Sequence, residues 1–145
     1  MLRNLSCERI QLDEIWSFVG SKQKNAPEGS AGEQGDIWTW TAIDADTKLV
    51  PAWYVGLRDP SGGADHRSRR ASRLRYRIQL STDGLKLYLS AVENAFGSAI
   101  DYCVIEKFYA FGAHRAGYSP AEVVGSKKEV IMGNPAHEHI NTSYV

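Results

Sequence analysis

The sequence predicts a mixed α/β domain in which an antiparallel meander of three strands is followed by a strand, a helix and a further strand in one five-stranded sheet. Two patterns carry this expectation. Apolar side chains alternate, with interruptions, along 10–19, 37–43 and 49–55, the period of half-buried strands. Later, Leu85, Tyr88, Leu89, Val92 and Phe96 recur at helical spacing before Gly97, a suitable helix stop. At 145 residues, the chain is one domain's worth of sequence, enough to bury a sheet-and-helix core.

Taken in order, residues 1–9 are a lead-in, 10–109 hold the core and 110–145 read as a loop-rich tail. In the first strand Ile10, Leu12, Trp16 and Phe18 share one face, and Asp13 lies on the other. Gly20 ends it, and the Gly-, Lys-, Glu- and Ser-rich text up to Asp36 reads as an exposed loop. The second strand, 37–43, sets Trp38 and Trp40 on one face. Asp44-Ala45-Asp46-Thr47 supplies turn chemistry. Pro51, inside the third strand at 49–55, cannot donate to a ladder and calls for an edge-facing or bulged position. Between Leu57 and Leu74 no large apolar residue occurs, so a helix there would have no core face. Residues 77–80 form a short fourth strand, Ser81-Thr82-Asp83-Gly84 a turn, and 100–109 the fifth strand. A short helix is expected at Ser119-Pro120-Ala121-Glu122, with proline at its first position.

Seventeen basic residues balance seventeen acidic ones, so net charge does not identify a partner. Seven of the ten arginines fall between Arg58 and Arg77, which reads either as a track for phosphates or as a solvated segment, the latter being favoured. Cys7 and Cys103 lack zinc or disulfide-framework spacing and fit a reducing cytoplasm. No apolar leader and no uncharged run near the roughly 20 residues of a membrane span occur, which predicts a soluble, intracellular protein with no membrane partner.

Phosphoryl transfer on DNA uses hard cations, and a pair of Mg²⁺ ions about 3.5–4 Å apart neutralises the phosphate and activates the attacking oxygen. Such ions take carboxylate oxygens converging from separate elements. Asp13, within the most apolar strand, reads either as such a ligand or as an exposed acid on a half-solvated face. Its neighbour Glu14 points the other way and is the weaker choice. Asp83 sits where ligands gather in open α/β sheets, although its local text favours a helix cap. Asp44 and Asp46 shape the hairpin, His137 and His139 read as solvated loop residues, and the four tryptophans read as core before they read as base-stacking platforms.

Together these residues resemble the catalytic domain of insertion-sequence-one-type bacterial transposases, of the DDE class. The resemblance rests on Leu12 to Gly20 followed by Lys22-Gln23-Lys24-Asn25, and on Gly35 to Trp40. It continues through Ala42 to Pro51, Leu80 to Gly84, Tyr118 to Glu122, and Gly133-Asn134-Pro135 through His139 to Val145. It covers nearly the whole chain apart from about 15 residues after Asp59. The resemblance implies a ribonuclease-H-like fold, with Asp13 and Asp83 as the first two catalytic and metal-binding acids, Mg²⁺ or Mn²⁺ as cofactor, and DNA ends and targets as substrate. It also implies further transposase chains as partners, in a homo-oligomer or with the full-length enzyme, and a cytoplasmic, nucleoid-associated location.

Three departures from the family bear on activity. The family's third acid, a Glu on a closing helix, would follow Val145; its zinc and helix-turn-helix region would precede this chain. An amphipathic helix stands where Pro60 to Leu74 are Arg-, Gly- and Ser-rich, as two compensating frameshifts would produce. The expectation is therefore an incomplete, inactive core; an active chain would need Glu129 or Glu138, the nearby options, as its third acid. The rival expectations are an inhibitor that binds DNA or transposase, and a non-functional relic.

Overall fold

The computed structural model describes residues 5–29, 33–58, 77–110 and 123–143. The short helix expected at Ser119 to Glu122 and nearly all of the arginine-rich segment lie outside these residues.

Among the described residues the strands are β1 (Arg9–Val19), β2 (Gly35–Asp44), β3 (Ala52–Gly56), β4 (Gln79–Asp83), β5 (Asp101–Tyr109) and β6 (Val123–Met132), with an α-helix, α1 (Leu87–Phe96), between β4 and β5. They form one mixed sheet in the order β3-β2-β1-β4-β5-β6. The first three make the antiparallel meander expected from their alternation, with Leu12 opposite Ala42 and Ala42 opposite Ala52. β4 lies parallel to β1, and β5 parallel to β4, so the sheet grows on both sides of β1.

The sheet has six strands where five were expected. β6 was assigned to the loop-rich tail because Lys127, Lys128 and Glu129 interrupt its apolar residues. It is an edge strand, exposed along nearly its whole length, and it exists through its antiparallel ladder to β5 rather than through burial. Charged side chains on such an edge also discourage pairing with another chain. Pro51 lies just before β3 and not within it, so the ladder needs no bulge to accommodate it.

One face of the sheet carries the main core. Ile10 and Leu12 of β1, Trp40 and Ala42 of β2, Leu80 of β4 and Tyr102 of β5 meet Tyr88 and Val92 of α1. The Trp40 and Tyr88 rings pack edge to face, 5.7 Å between centroids. Leu89, assigned by spacing to the buried stripe of the helix, is exposed, and Ala91 is buried instead. Trp16 and Trp53 likewise depart from the core reading. Trp16 sits where β1 runs beyond the cover of α1, and Trp53 is 65% exposed on the opposite face.

The β4–α1–β5 connection is tied down by Arg77. Its guanidinium donates to both carboxylate oxygens of Asp101 at 2.8 and 2.9 Å and to the carbonyls of Ser98 and Ile100. This bidentate geometry fixes orientation as well as charge. It holds the Asp101 carboxyl below its ordinary pKa, a preference aided by the Asn134 N–H.

Gly133 closes the turn after β6 against this cluster. Its φ is +72°, and a Cβ there would strike the Asp101 carboxylate, the Arg77 guanidinium and the Ile100 carbonyl. Gly97, at the end of α1, also has positive φ, but a Cβ would meet nothing within 4 Å. Gly133→Ala is therefore expected to cost more than the roughly 1 kcal/mol of an unfavourable backbone alone, and Gly97→Ala to cost about that amount. Urea unfolding of the two variants beside the unmodified chain checks the order, and equal losses would contradict the steric account.

Candidate metal centre

Two neighbouring parallel strands bring Asp13 and Asp83 together. The paired run ends with Leu12 beside Thr82, so the next residue on each strand is an aspartate. Both side chains are half-buried. Oxygens of Asp13, Asp83 and Glu14 all lie within 4.8 Å of one another. The two acids assigned as metal ligands from the sequence thus converge.

Glu14 was set aside because alternation turns it to the other face of β1. It does emerge there, on the side of α1, where Tyr88 donates to it at 2.9 Å. The three acids nevertheless gather, because Asp13 and Asp83 occupy adjoining strand positions and Asp83 is the last residue of β4. The signal that Glu14 joins them is its adjacency to Asp13 at that end of the paired run, which alternation alone does not express. Its side chain is 4% exposed and is held by the Arg58 guanidinium, which in turn stacks 4.5 Å over the Trp38 ring. The desolvated carboxylate is thus supplied with a cation and a hydroxyl.

Each aspartate is partly engaged by backbone. Asp13 Oδ1 accepts from the Glu14 N–H at 2.9 Å, and Asp83 Oδ1 accepts from the Leu85 N–H at 3.0 Å. The latter is a turn contact two residues on. The helix cap position is occupied by Lys86 and has no side-chain cap, so the capping role favoured locally for Asp83 is not what the structure contains. Burial is the main cause that raises the pKa of both acids, and the neighbouring carboxylates add to it. The backbone donors and Lys107 pull the other way, joined at Asp83 by Arg58. Tyr88 is pushed far above its usual range, by burial first and then by Glu14, and stays a hydroxyl donor.

The pair opens on a cleft of about 310 Å³ lined by Asp13, Asp83, Arg58, Ile105, Lys107 and Thr142, among others. All-oxygen donors that lack enough positive charge suit a hard divalent cation such as Mg²⁺ or Mn²⁺ better than a soft metal. The acids expected to stand in for a third ligand are elsewhere. Glu129 pairs with Lys127 and lines a separate depression beside α1, and exposed Glu138 belongs to the His137–His139 turn. Among the described residues, His137 and His139 join no metal-binding group.

In comparisons with known proteins, no family model and no curated sequence matches this chain. Among the described residues, no helix is long and apolar enough to cross a membrane.

The raised carboxyl groups fix the sign of a pH effect. At these two sites the folded chain retains protons that the unfolded chain releases above the usual value of 3.8, so the pair's contribution to stability falls as pH rises from there through the folded values. Asp13→Asn and Asp83→Asn keep the acceptor for the backbone N–H and remove the charge. Each is expected to raise the melting temperature at neutral pH and flatten that decline. Mn²⁺ at a hundredfold excess over its Kd should stabilise the unmodified chain by about 2.7 kcal/mol, roughly 5–10 °C, and should do so in neither variant. Differential scanning fluorimetry across pH, with and without Mn²⁺, reads both effects. A melting temperature that Mn²⁺ leaves unchanged in the unmodified chain would remove the metal centre.

Proposed function

We propose that this chain is a DNA phosphoryl-transfer core of the DDE transposase kind that its sequence resembles, using Mg²⁺ or Mn²⁺ at Asp13 and Asp83. One observation carries the reading. Two aspartates, one within β1 and one ending β4, meet where the parallel ladder of these strands stops, half-buried at the mouth of a cleft. An antiparallel meander continued by helix-linked parallel strands agrees with the ribonuclease-H-like arrangement that this reading requires. The sixth strand is an addition at the edge and leaves the aspartates where they are.

A bound divalent cation would neutralise phosphate charge and activate the attacking oxygen. The chain's own residues prepare for it. Asp13 and Asp83 face each other across adjacent strands, and burial makes their shared negative charge unfavourable until a cation arrives. Backbone N–H groups fix one oxygen of each and leave the other for a ligand. Glu14 is already shared between Arg58 and Tyr88, so it shapes the field of the site more than it supplies a free oxygen. That engagement favours slow turnover by this chain alone. It also supports a second reading, a chain that binds DNA or an intact transposase and inhibits it. On either reading the partners are DNA and further transposase chains, in the bacterial cytoplasm.

Nicking of supercoiled plasmid in Mg²⁺ or Mn²⁺, comparing the chain with Asp13→Ala and Asp83→Ala, tests the proposal. Slow, cation-dependent nicking that falls to background in both variants is the expected result. Nicking that persists in both would sink it. DNA binding that needs the cation and both aspartates, without nicking, would select the inhibitor.

A further inference from the structure

Lys107 and Thr142 line the Asp13–Asp83 cleft and are not absorbed by the metal centre. Lys107 lies two residues beyond Ile105, the β5 partner of Asp83, and so its side chain emerges on the face of the sheet that carries Asp83. Its positive charge favours the ionised forms of both aspartates. Even so, it makes no ion pair or hydrogen bond with another described residue. It is half-buried, which restricts a long side chain that gains nothing locally from being held. Thr142 is 2% exposed, and its Oγ1 has no hydrogen-bond partner, a costly state for a buried hydroxyl. Carboxylates, an ammonium with no ion pair among the described residues, and a threonine whose buried hydroxyl is unsatisfied thus line one cleft.

These groups differ in what they select. The acids attract a cation, and a cation with Lys107 gives the cleft positive charge on two sides. An oxyanion bridging them would be held by both, and a phosphodiester supplies several oxygens from one group. We propose that Lys107 and Thr142 form the phosphate-holding side of this cleft, positioning a nucleic-acid phosphate beside the cation on Asp13 and Asp83. This inference rests on the metal-dependent reading above. Lys107 acts as a point charge on the phosphate, and Thr142 donates its free O–H to a phosphate oxygen. The competing account is that Lys107 only balances the two acids.

The test is fluorescence anisotropy of a short single-stranded DNA oligonucleotide at several salt concentrations in Ca²⁺, with Mn²⁺ affinity measured separately. Lys107→Gln should weaken oligonucleotide binding and lower the slope of log K against log salt by about 0.7, one phosphate contact on a single strand. Lys107→Arg should keep the slope, and neither variant should weaken Mn²⁺ binding. Thr142→Val should lower oligonucleotide affinity roughly 3- to 10-fold while raising the melting temperature of the free chain. An unchanged slope in Lys107→Gln, or lost Mn²⁺ affinity in it, overturns the inference and leaves the metal reading standing. Absence of Mn²⁺ binding in the unmodified chain overturns both.

Discussion

The parallel pairing of β1 with β4 sets two half-buried carboxylates side by side, and much of the structure answers that placement. The ladder runs from Arg9 beside Gln79 to Leu12 beside Thr82, and a shift of one residue would turn Asp83 to the other face. Register is therefore pinned from several directions. Leu80 and Thr82 pack on the side of α1, Thr82 shares a hydrogen bond with the Tyr102 hydroxyl, and Ser81 meets Cys103 on the reverse side. Each contact fails if the strands slip.

That placement works against stability. A fold chosen only for stability would replace at least one of Asp13 and Asp83, since burial and mutual repulsion both disfavour their charged forms. The opposing contributions come from elsewhere: the Trp40–Tyr88 core, the Arg77–Asp101 clamp, and the shelter given to Glu14 by Arg58 and Tyr88. The contrast between Asp101 and the aspartate pair is instructive. Asp101 has a guanidinium aligned on both its oxygens and its pKa is lowered, whereas Asp13 and Asp83 have backbone donors and only unbonded cationic neighbours, Lys107 for both and Arg58 for Asp83, and theirs are raised. The first arrangement is complete within the chain, and the second is completed by a ligand that brings charge.

The sequence made the elements with a repeating apolar period legible. β1, β2, α1 and β5 follow from alternation or helical spacing because each carries a periodic apolar stripe, part of which the core buries. β6 has no such stripe, so its charged text reads as loop, and the ladder to β5 decides its conformation. β4 ends three residues later than expected, because Ser81 to Asp83 have turn-forming side chains, although Ser81 and Thr82 pair on both sides and Asp83 pairs with β5. Asp13 and Asp83 were legible as ligands mainly through the resemblance; local text alone left Asp13 undecided and made Asp83 a cap. Glu14 ranked below Asp13 for a physical reason. Alternation reports which face a side chain leaves from, but not how far a long carboxylate reaches around the end of a paired run.

Among the described residues the two faces of the sheet are finished unequally, and on the proposed reading the difference suits a polymer better than a small molecule. On the α1 side, helix and sheet bury a continuous core. On the Asp13 side, the described cover is a small cluster in which Ile140 packs on Cys103 and Ile105. Register carries Asp13 across to Thr41 and Trp53, and Ile15 across to Thr39 and Val55, so these share the aspartate's face. Ile15, Trp53 and Val55 are 52%, 65% and 42% exposed. Pockets for small ligands usually enclose most of their guest, and a cleft beside such an open apolar surface does not. A nucleic-acid strand needs only its reacting phosphate at the cation, while its neighbouring bases and sugars lie along an open face. On the proposed reading, the exposure beside Asp13 and the incomplete enclosure of the cleft leave room for a substrate longer than the site.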